Sequence, residues 1–494
     1  LSQLPYATNI NYGPDAMRNI IETFEPAIYW TYSDTGSSAQ AGYEIEVGND
    51  SDWTIAEMWD TGIIESADTQ VVYSGNPLSQ NVLYYLRIKV NNGLYWGGWL
   101  TSTFIIHFPQ VINIPADWRS IQEGIDASLD GDTVFVAPGK YYENIDFNGK
   151  NIIVNSVEGP ENTTIYGINM STAAICIANT TSRRVQISGF TISNGENAGI
   201  LCSHSSPMIL NNIITNSRGY GNVGSGICLL NTTNSLIKGN IIYGNIGNSY
   251  ASAISIGDNG ASSFNDTVCY NLIYSNSGTG DIRILGDVEG LILYNNTISG
   301  GRYAIINQGD GHVDLLNNII FGSSDWGIYD DASMPGTTKV EYNCLFDNAG
   351  DLYGITPGIG NLYTNAIFTD QTNHNYSLAS GSPCINAGDP DTIYNDQDGS
   401  RNDIGAIPFL QAAFITNISF GDGDWFHLTN HQPTIYWIYS DPFEYPQTQY
   451  ELAVCSDTDW NHADMWKLGP VASADSFVTY AGELLFDGLT YYLR

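Results

Sequence analysis

The sequence predicts an all-β protein in which a right-handed parallel β-helix lies between two β-sandwich domains. Three observations lead to this prediction. The first is composition, because the 494 residues include only 14% charged side chains but 51 Gly and 32 Tyr, which suits short strands and many turns. The second is a duplicated segment at the two ends of the chain. The third is a repeat of 23–28 residues between the two copies.

The duplicated segment comprises residues 26–87 and 433–494, which align at a constant offset of 407 positions without a gap. Both copies contain P-x-I-Y-W-x-Y-S-D, Q-x-x-Y-E and Y-Y-L-R. In the first copy Ile28, Trp30 and Tyr32 recur at the two-residue period of a strand. Short strands of this kind, separated by turn residues, predict a β-sandwich of about a hundred residues.

These motifs resemble the fibronectin type III-like modules attached to bacterial secreted carbohydrate-active enzymes, and the resemblance implies spacers or weak binding units. We place the first sandwich at residues 1–108, the β-helix at 109–410 and the second sandwich at 411–494. The second copy ends at the equivalent of Arg87, before the counterpart of residues 88–104. We therefore expect an incomplete module, either because the chain is truncated or because another chain supplies the missing strand.

The central repeat is marked by two ladders of residues. A Gly/Ala-Ile doublet, with Asp281-Ile282 in one place, recurs at Ile175, Ile200, Ile227, Ile254, Ile282, Ile305 and Ile328. Asparagine followed by an apolar residue recurs at Asn212, Asn240, Asn271, Asn318 and Asn343. This period predicts coils of short parallel strands in which like residues stack about 4.8 Å apart. Upstream, Trp118, Ile121 and Ile125 have helical spacing and predict a short helix over the end of the stack.

The opening IQEGIDAS…GDTVFVAPGKYYENI and the closing YSLASGSPCINAGDP…DQDGSRNDIGA frame this repeat. Both segments resemble those of secreted proteins in the pectin-lyase-like β-helix superfamily. Together with the repeat between them, the resemblance covers nearly 300 residues. The resemblance implies the fold. It leaves the activity open, because this coil occurs in lyases, hydrolases, esterases, adhesins and spikes.

The net charge of the chain argues against some classes of binding partner. Acidic residues number 52 against 16 Lys and Arg, so the formal net charge is -36. Such a chain repels phosphate backbones, which argues against nucleic-acid binding, and it favours neutral over anionic polymers. There is no run of 18 apolar residues, so we expect no membrane span. Composition and resemblance together predict an extracellular or cell-surface protein.

Arg283 and Arg302 are the first candidate catalytic residues, since they fall in successive repeats. A polysaccharide lyase must neutralise a uronate and remove its C5 proton, typically with Arg or Lys and often with calcium. If the protein is a lyase, its groove is expected near this pair. The alternative is that both arginines are solvated residues at the ends of ladders.

Asp310, His312 and Asp314 form a second candidate catalytic set. Strand alternation would place the three side chains on one face, within reach of a metal or of one another. The alternative is an exposed polar ladder without a chemical role.

Calcium is the one cofactor that the sequence suggests. Asp396, Asp398 and Asp403 lie around a Gly turn and supply the closely spaced acidic oxygens that this ion needs. Their spacing is not that of an EF-hand loop. The alternative is a tight terminal turn in which Arg401 offsets the local acids.

Four tryptophans, Trp53, Trp59, Trp96 and Trp99, have side chains that can stack on sugars. The first two recur at matching positions of the second copy, which fits a sandwich core at least as well.

Two functions follow from these features. The first is a binding or structural role, as a glycan binder, an adhesin or a subunit of an extracellular assembly. Its partners would be an extracellular polysaccharide or copies of itself, and the duplicated ends would permit a head-to-tail homo-oligomer or filament. The alternative is a polysaccharide lyase or glycoside hydrolase acting on an extracellular polysaccharide.

Overall fold

The structure is a computed structural model that describes residues 4–13, 19–169, 171–180, 185–219, 224–247, 251–257, 262–331, 337–410, 414–420, 432–440, 447–456, 465–483, 485 and 491–493. Within these ranges the helices are one α-helix, Ile121–Ala127, and two 3-10 turns, Gln371–Asn373 and Thr392–Tyr394. All other regular elements are strands, so the all-β prediction is confirmed. None of the described helices has the length and apolar character needed to cross a lipid bilayer.

The N-terminal part of the chain folds as a sandwich of two sheets. The three-stranded sheet consists, in spatial order, of Tyr6–Asn11, Ala27–Ser33 and Gln70–Val72. The five-stranded sheet consists of Ile20–Ile21, Leu100–Ile106, Leu83–Asn91, Gly42–Gly48 and Trp59–Asp60. As the alternation predicts, Ile28 and Trp30 point into the core, and Tyr32 packs against its edge.

The C-terminal copy repeats this arrangement over its described residues. One sheet contains Phe414–Phe420, Thr434–Ser440 and Phe477–Thr479, and the other contains Trp466–Val471, Tyr450–Cys455 and Tyr492–Leu493. The repetition extends to buried hydrogen bonds. The indole of Trp30 donates to Gln40 Oε1 at 2.9 Å, and that of Trp437 donates to Gln447 Oε1 at the same distance. The duplication is therefore structural as well as sequential.

Between the sandwiches the chain winds into a parallel β-helix with three sheets, which confirms the predicted fold. The first sheet contains Val111–Ile114, Thr133–Val136, Ile153–Ser156, Gln186–Ser188, Met208–Leu210, Leu236–Lys238, Thr267–Cys269, Leu291–Tyr294, His312–Leu316 and Thr337–Glu341. The second contains Gly139–Tyr142, Thr163–Tyr166, Thr191–Ser193, Ile213–Thr215, Ile241–Tyr243, Leu272–Tyr274, Thr297–Ser299, Ile319–Phe321 and Cys344–Phe346. The third contains Ile145–Asp146, Ile175–Ala178, Ile200–Ser203, Ile227–Leu230, Ala251–Ile256, Gly280–Glu289, Tyr303–Gly309, Trp326–Asp330 and Gly350–Tyr353.

A few short strands lie beside these sheets. Ser262–Phe264 pairs with the end of Gly280–Glu289, Arg218–Gly219 pairs with Ile246–Gly247, and Phe368–Asp370 forms an antiparallel pair with Asn375–Leu378.

The isoleucine ladder lies in the third sheet as predicted. Each member pairs in register with the next, from Ile175 with Ile200 through to Ile305 with Ile328, and all are fully buried. Burying one such side chain stabilises the fold by about 1.5–3 kcal/mol. The Gly or Ala before every Ile of the ladder except Ile282 has a steric cause, since a Cβ added at Gly226 would lie 2.4 Å from the carbonyl oxygen of Ala253. Neighbouring coils thus approach too closely there for a large side chain.

The asparagine ladder lies at the turn that precedes the second sheet. In each step the backbone N–H and the Nδ2 of one Asn both donate to Oδ1 of the Asn one coil later, as Asn240 does to Asn271 at 2.9 and 3.0 Å. The ladder also includes Asn296, which the sequence pattern missed because Thr297, and not an apolar residue, follows it. Buried amides therefore connect one coil to the next.

The helix over the first coil, Ile121–Ala127, begins later than predicted. It begins after Ser120, whose side chain accepts a hydrogen bond from Glu123 N, and Glu143 accepts from the first two helical N–H groups. Ile121 and Ile125 are fully buried against the coil. Trp118 lies before the N-cap with 45% of its surface exposed, so the expectation that it belongs to the buried face was wrong.

A buried polar joint connects the first sandwich to the β-helix. His107 follows the last strand of the sandwich, and its Nδ1 and Nε2 lie 2.7 Å from Asn81 Oδ1 and Asp132 Oδ1. Asp132 also accepts hydrogen bonds from Gln110 N and Leu129 N at 2.6 and 2.8 Å. Since His107 and Asp132 are each 2% exposed, solvent does not compete for these contacts.

We predict that Asn271→Ala destabilises the β-helix by about 3 kcal/mol, because the backbone N–H of Asn240 and the carbonyl of Ile237 lose the buried hydrogen bonds that Asn271 makes to them. The free energy of unfolding from urea titration measures this. Asn162→Ala, which removes an exposed amide, is the control and should change stability little. Equal stability of the two variants would contradict the role of the ladder.

Candidate functional site

The structure separates the two predicted arginines. Arg283 lies on the outer face of the third sheet, where its Nε and Nη2 donate to Gln308 Oε1 at 3.2 and 2.9 Å. Arg302 precedes Tyr303–Gly309 and forms an exposed ion pair with Asp325, with 3.2 Å between Nη2 and Oδ2. The partner of Arg283 across the sheet is Ile306, four residues beyond Arg302. The two cations therefore have different partners and do not form one pair.

Arg302 borders four aromatic side chains, which we call the aromatic platform: Tyr303, Trp326, Tyr329 and Tyr353. They come from three successive strands of the third sheet. The rings of Tyr329 and Tyr353 stack with centroids 4.8 Å apart and planes 4° apart. Tyr303 contacts Tyr329 at 5.4 Å, and Trp326 contacts Tyr353 at 5.3 Å. The Arg302 guanidinium lies 5.0 Å from the centre of the Tyr303 ring.

The stacking of coils produces the platform. Ile328 and Leu352 point into the coil, so Tyr329 and Tyr353, each one residue later, point outward. Trp326 needs a glycine beside it, because a Cβ added at Gly350 would lie 2.3 Å from the indole ring. Sequence reasoning missed these residues, although an aromatic residue directly after the inward position of successive repeats was visible.

The platform is partly open to solvent and remains uncharged apart from its edge. Tyr353 is 45% exposed, and the other three rings are half-buried. Desolvation, together with hydrogen bonding to Asp325, raises the pKa of Tyr303. Desolvation and the charge of Asp331 raise the pKa of Tyr329. Both phenols therefore stay protonated near neutral pH, as hydrogen-bond donors beside a flat apolar surface.

The predicted Asp-His-Asp set lies on a different face, the outer side of the first sheet. His312 Nε2 lies 3.1 Å from Asp314 Oδ1, and its Nδ1 lies 2.7 Å from Thr337 Oγ1. Lys339 faces Asp314 across the sheet. Asp310 is exposed in the turn before His312–Leu316 rather than on that strand. The strand thus brings two of the three residues together and adds a lysine that the sequence did not single out.

The lysine of this cluster is held as a cation. Lys339 Nζ lies 2.8 Å from Glu341 Oε2, and this hydrogen bond is the main reason that the pKa of Lys339 is raised. The positive charge of Lys339 is offset by Glu341 and by the nearby Asp314 and Asp389.

The proposed calcium ligands are occupied by hydrogen bonds from the protein. Asp396 accepts from Asp403 N at 3.0 Å, and Asp398 accepts from the N and Oγ of Ser400. Asp403 accepts from Asn386 N and Phe409 N, both at 2.6 Å. Desolvation and the charge of Asp403 raise the pKa of Asp396 to about 7. These contacts are those of a tight turn, in which Arg401 donates to Gly388 O, and calcium binding by the three acids stays a prediction.

The described residues contain one group of three acidic ligands whose oxygens all lie within 4.8 Å of one another: Glu44, Glu46 and Asp60 of the first sandwich. Two of these carboxylates already neutralise cations. Glu44 lies 2.7 Å from Lys89 Nζ, and Glu46 lies 2.5 Å from Arg87 Nη2. The group is thus part of an ion-pair network.

The tryptophans of the first sandwich divide into two sets. Trp59 packs on Tyr73 at 5.2 Å and against the core, as its recurrence suggests. Trp53 instead lies over the Arg87 guanidinium at 4.6 Å, which the core interpretation did not anticipate. The ring centre of Trp99 lies 4.2 Å from the Arg87 guanidinium and 4.4 Å from Lys89 Nζ, and that of Trp96 lies 5.2 Å from Lys89 Nζ.

Comparison with known proteins identifies the first sandwich. Residues 14–104 match the family described as the Rha78A-like, N-terminal immunoglobulin domain. Immunoglobulin and fibronectin type III domains share the sandwich architecture, so the match agrees with the predicted fold. No curated protein matches the chain.

Several solved structures resemble parts of the chain. An α-L-rhamnosidase from Dictyoglumus thermophilum is 17% identical with a TM-score of 0.17, and the match covers 18% of this chain and 11% of that enzyme. Pectate lyase Pel9A is 12% identical with a TM-score of 0.42, covering 61% and 96%. The catalytic domain of a GH87 α-1,3-glucanase in complex with nigerose is 10% identical with a TM-score of 0.23, covering 70% and 79%. This chain thus spans about a tenth of the rhamnosidase, and its function must follow from its own surfaces.

We predict that the melting temperature of the protein falls as pH rises from about 4 to 7. In this window the folded state keeps the proton of Asp396, whose pKa is about 7, while the unfolded state releases it near the ordinary pKa of an aspartate. Asp396→Asn has no proton to release and should reduce the fall. Glu161→Gln, an exposed control, should keep it. Thermal unfolding at several pH values measures the slopes, and equal slopes for all three proteins would contradict this account.

Proposed function

We propose that this protein binds a polysaccharide through the aromatic platform of its β-helix. The observation that carries the proposal is the position of Tyr303, Trp326, Tyr329 and Tyr353, whose rings cover the outer face of three successive strands. Sugar rings have apolar faces that stack on aromatic side chains, and their hydroxyls need hydrogen-bond partners at the edge of such a surface. The platform offers both.

The edge of the platform supplies the polar partners. Arg302 and Asp325 form an exposed ion pair beside Tyr303, and such a pair can exchange its contact for sugar hydroxyls at small cost. Arg283 extends the platform along the coil, because Arg283, Ile306, Tyr329 and Tyr353 pair in register in one column. Both arginines predicted from the sequence, Arg283 and Arg302, thus border the outer face of the third sheet.

The spacing of the rings suits a chain rather than a single sugar. Successive coils are about 4.8 Å apart, so three coils present a surface about 10 Å long. A polymer can occupy several positions along it, and each stacked sugar adds to the affinity. The flanking sandwiches are then spacers or further contact points.

We predict that Trp326→Ala and Tyr353→Ala each weaken binding of the preferred polysaccharide by at least about tenfold, since each removes one stacked ring. Affinity electrophoresis over a panel of glucan, xylan, mannan and polygalacturonate identifies the polymer, and titration calorimetry measures the affinities. Tyr142→Ala removes another exposed ring of the β-helix, outside the platform, and serves as the matched control. Unchanged affinity of both platform variants would contradict the proposal.

A lyase or glycoside hydrolase is the second candidate, and one observation favours it. His312, Asp314 and Lys339 bring a base, a carboxylate and a cation together on the outer face of the first sheet. A lyase uses a base to remove the C5 proton of a uronate while the C4–O bond breaks, leaving an unsaturated sugar. Ultraviolet absorbance of unsaturated ends and release of reducing ends, measured on the same polysaccharide panel, test it. Product formation that is lost in His312→Ala would establish the enzyme.

The proposed setting is the cell surface or the extracellular medium, where polysaccharides occur. Head-to-tail self-association through the two sandwich copies remains a hypothesis that rests on the duplication. Light scattering at increasing protein concentration tests it, and a constant mass equal to that of one chain would refute it.

A further inference from the structure

The third sheet ends beside a polar cavity of about 530 Å³. Its walls include Asp347 and Asn348 from the turn before the strand Gly350–Tyr353, Asp351 from that strand, and Tyr363 and Asn365 from the segment that follows the last coil. Among its lining residues, all of which belong to the described part of the chain, there is no Lys, Arg or His. The cavity therefore offers carboxylates, amides and two aromatic side chains, Phe346 and Tyr363, without a counter-charge.

The cavity and the aromatic platform are continuous. Asp351 and Tyr353 lie two residues apart on one strand, while Leu352 between them packs against the core. Alternation therefore places Asp351 and Tyr353 on the same outer face, about 7 Å apart along the strand. Trp326, which pairs with Gly350 and packs on Tyr353, lies next to both. A chain that leaves the platform at Tyr353 meets the cavity next.

The polar groups of the cavity are held in place. Asn348 Nδ2 donates to Asp351 Oδ1 at 3.0 Å, while Asn348 Oδ1 accepts from Ser323 N at 3.0 Å. The side chain of Asn365 accepts from Ile367 N at 2.8 Å. Tyr363 at the rim is 53% exposed and close enough to Asp351 for the carboxylate charge to raise its pKa, after desolvation. Carboxylate and amide acceptors with an adjoining aromatic ring complement a sugar that presents several hydroxyl donors.

We propose that this cavity is a subsite at the end of the platform and that it selects uncharged sugars over uronates. The inference rests on the proposed polysaccharide binding and adds the class of sugar. Hydroxyls of a neutral sugar donate charge-assisted hydrogen bonds to Asp347 and Asp351. The carboxylate of a uronate at the same place would face two like charges without a cation to offset them. The net charge of -36 acts in the same direction at longer range.

The test is the ratio of two affinities, measured by titration calorimetry for the tightest-binding neutral polymer of the panel and for polygalacturonate. Asp351→Asn keeps an acceptor for Asn348 but removes one negative charge from the cavity. We expect it to weaken neutral-polymer binding about fivefold or more and to leave polygalacturonate binding unchanged or tighter. Glu161→Gln makes the same change of net charge at an exposed site outside the cavity and should leave the ratio unaltered.

The outcomes separate the two claims. If Trp326→Ala leaves neutral-polymer affinity unchanged, polysaccharide binding by the platform is wrong, and the subsite falls with it. If Trp326→Ala weakens binding but Asp351→Asn and Glu161→Gln have the same affinity ratio, polysaccharide binding by the platform is supported and the selective subsite is overturned. A wild-type protein that prefers polygalacturonate to every neutral polymer also overturns it.

Discussion

In-register stacking of coils is the constraint on which the rest of this structure depends. Each coil contributes one strand to each sheet, and each position pairs with its counterpart about 4.8 Å away. Inside, this places the isoleucines in an unbroken column and the asparagines in a chain of shared amide oxygens. On the outer faces, a residue type that recurs at an outward position also forms a column. The stacked rings of Tyr329 and Tyr353 arise from this register.

The repeat made the interior predictable from the sequence. The Ile column could be assigned because its members recur at nearly constant spacing and because Gly or Ala precedes all of them except Ile282. Asn296 was overlooked because the search required an apolar residue after the Asn, whereas the hydrogen bonds require only the amide. Trp118 was assigned to the helix from its spacing, but the N-cap at Ser120 fixes where the helix begins.

The exterior was harder to predict, because outward positions carry no constraint that a single sequence reveals. Arg283 follows Ile282 by one residue and Arg302 precedes Ile305 by three, so the two lie in successive repeats but four residues apart along the sheet. Asp310 lies in the turn that precedes the strand of His312 and Asp314. At the closing turn, the spacing of Asp396, Asp398 and Asp403 predicts a calcium site. A sequence does not show that backbone N–H groups donate hydrogen bonds to Asp396 and Asp403.

The joint at His107 has a mechanical consequence. A linker of glycine and serine would let the first sandwich reorient freely. Here, the buried imidazole of His107 is held by Asn81 on one side and Asp132 on the other. Reorienting the first sandwich against the first coil would therefore require breaking the buried hydrogen bonds of His107, and not only rotating a few backbone bonds.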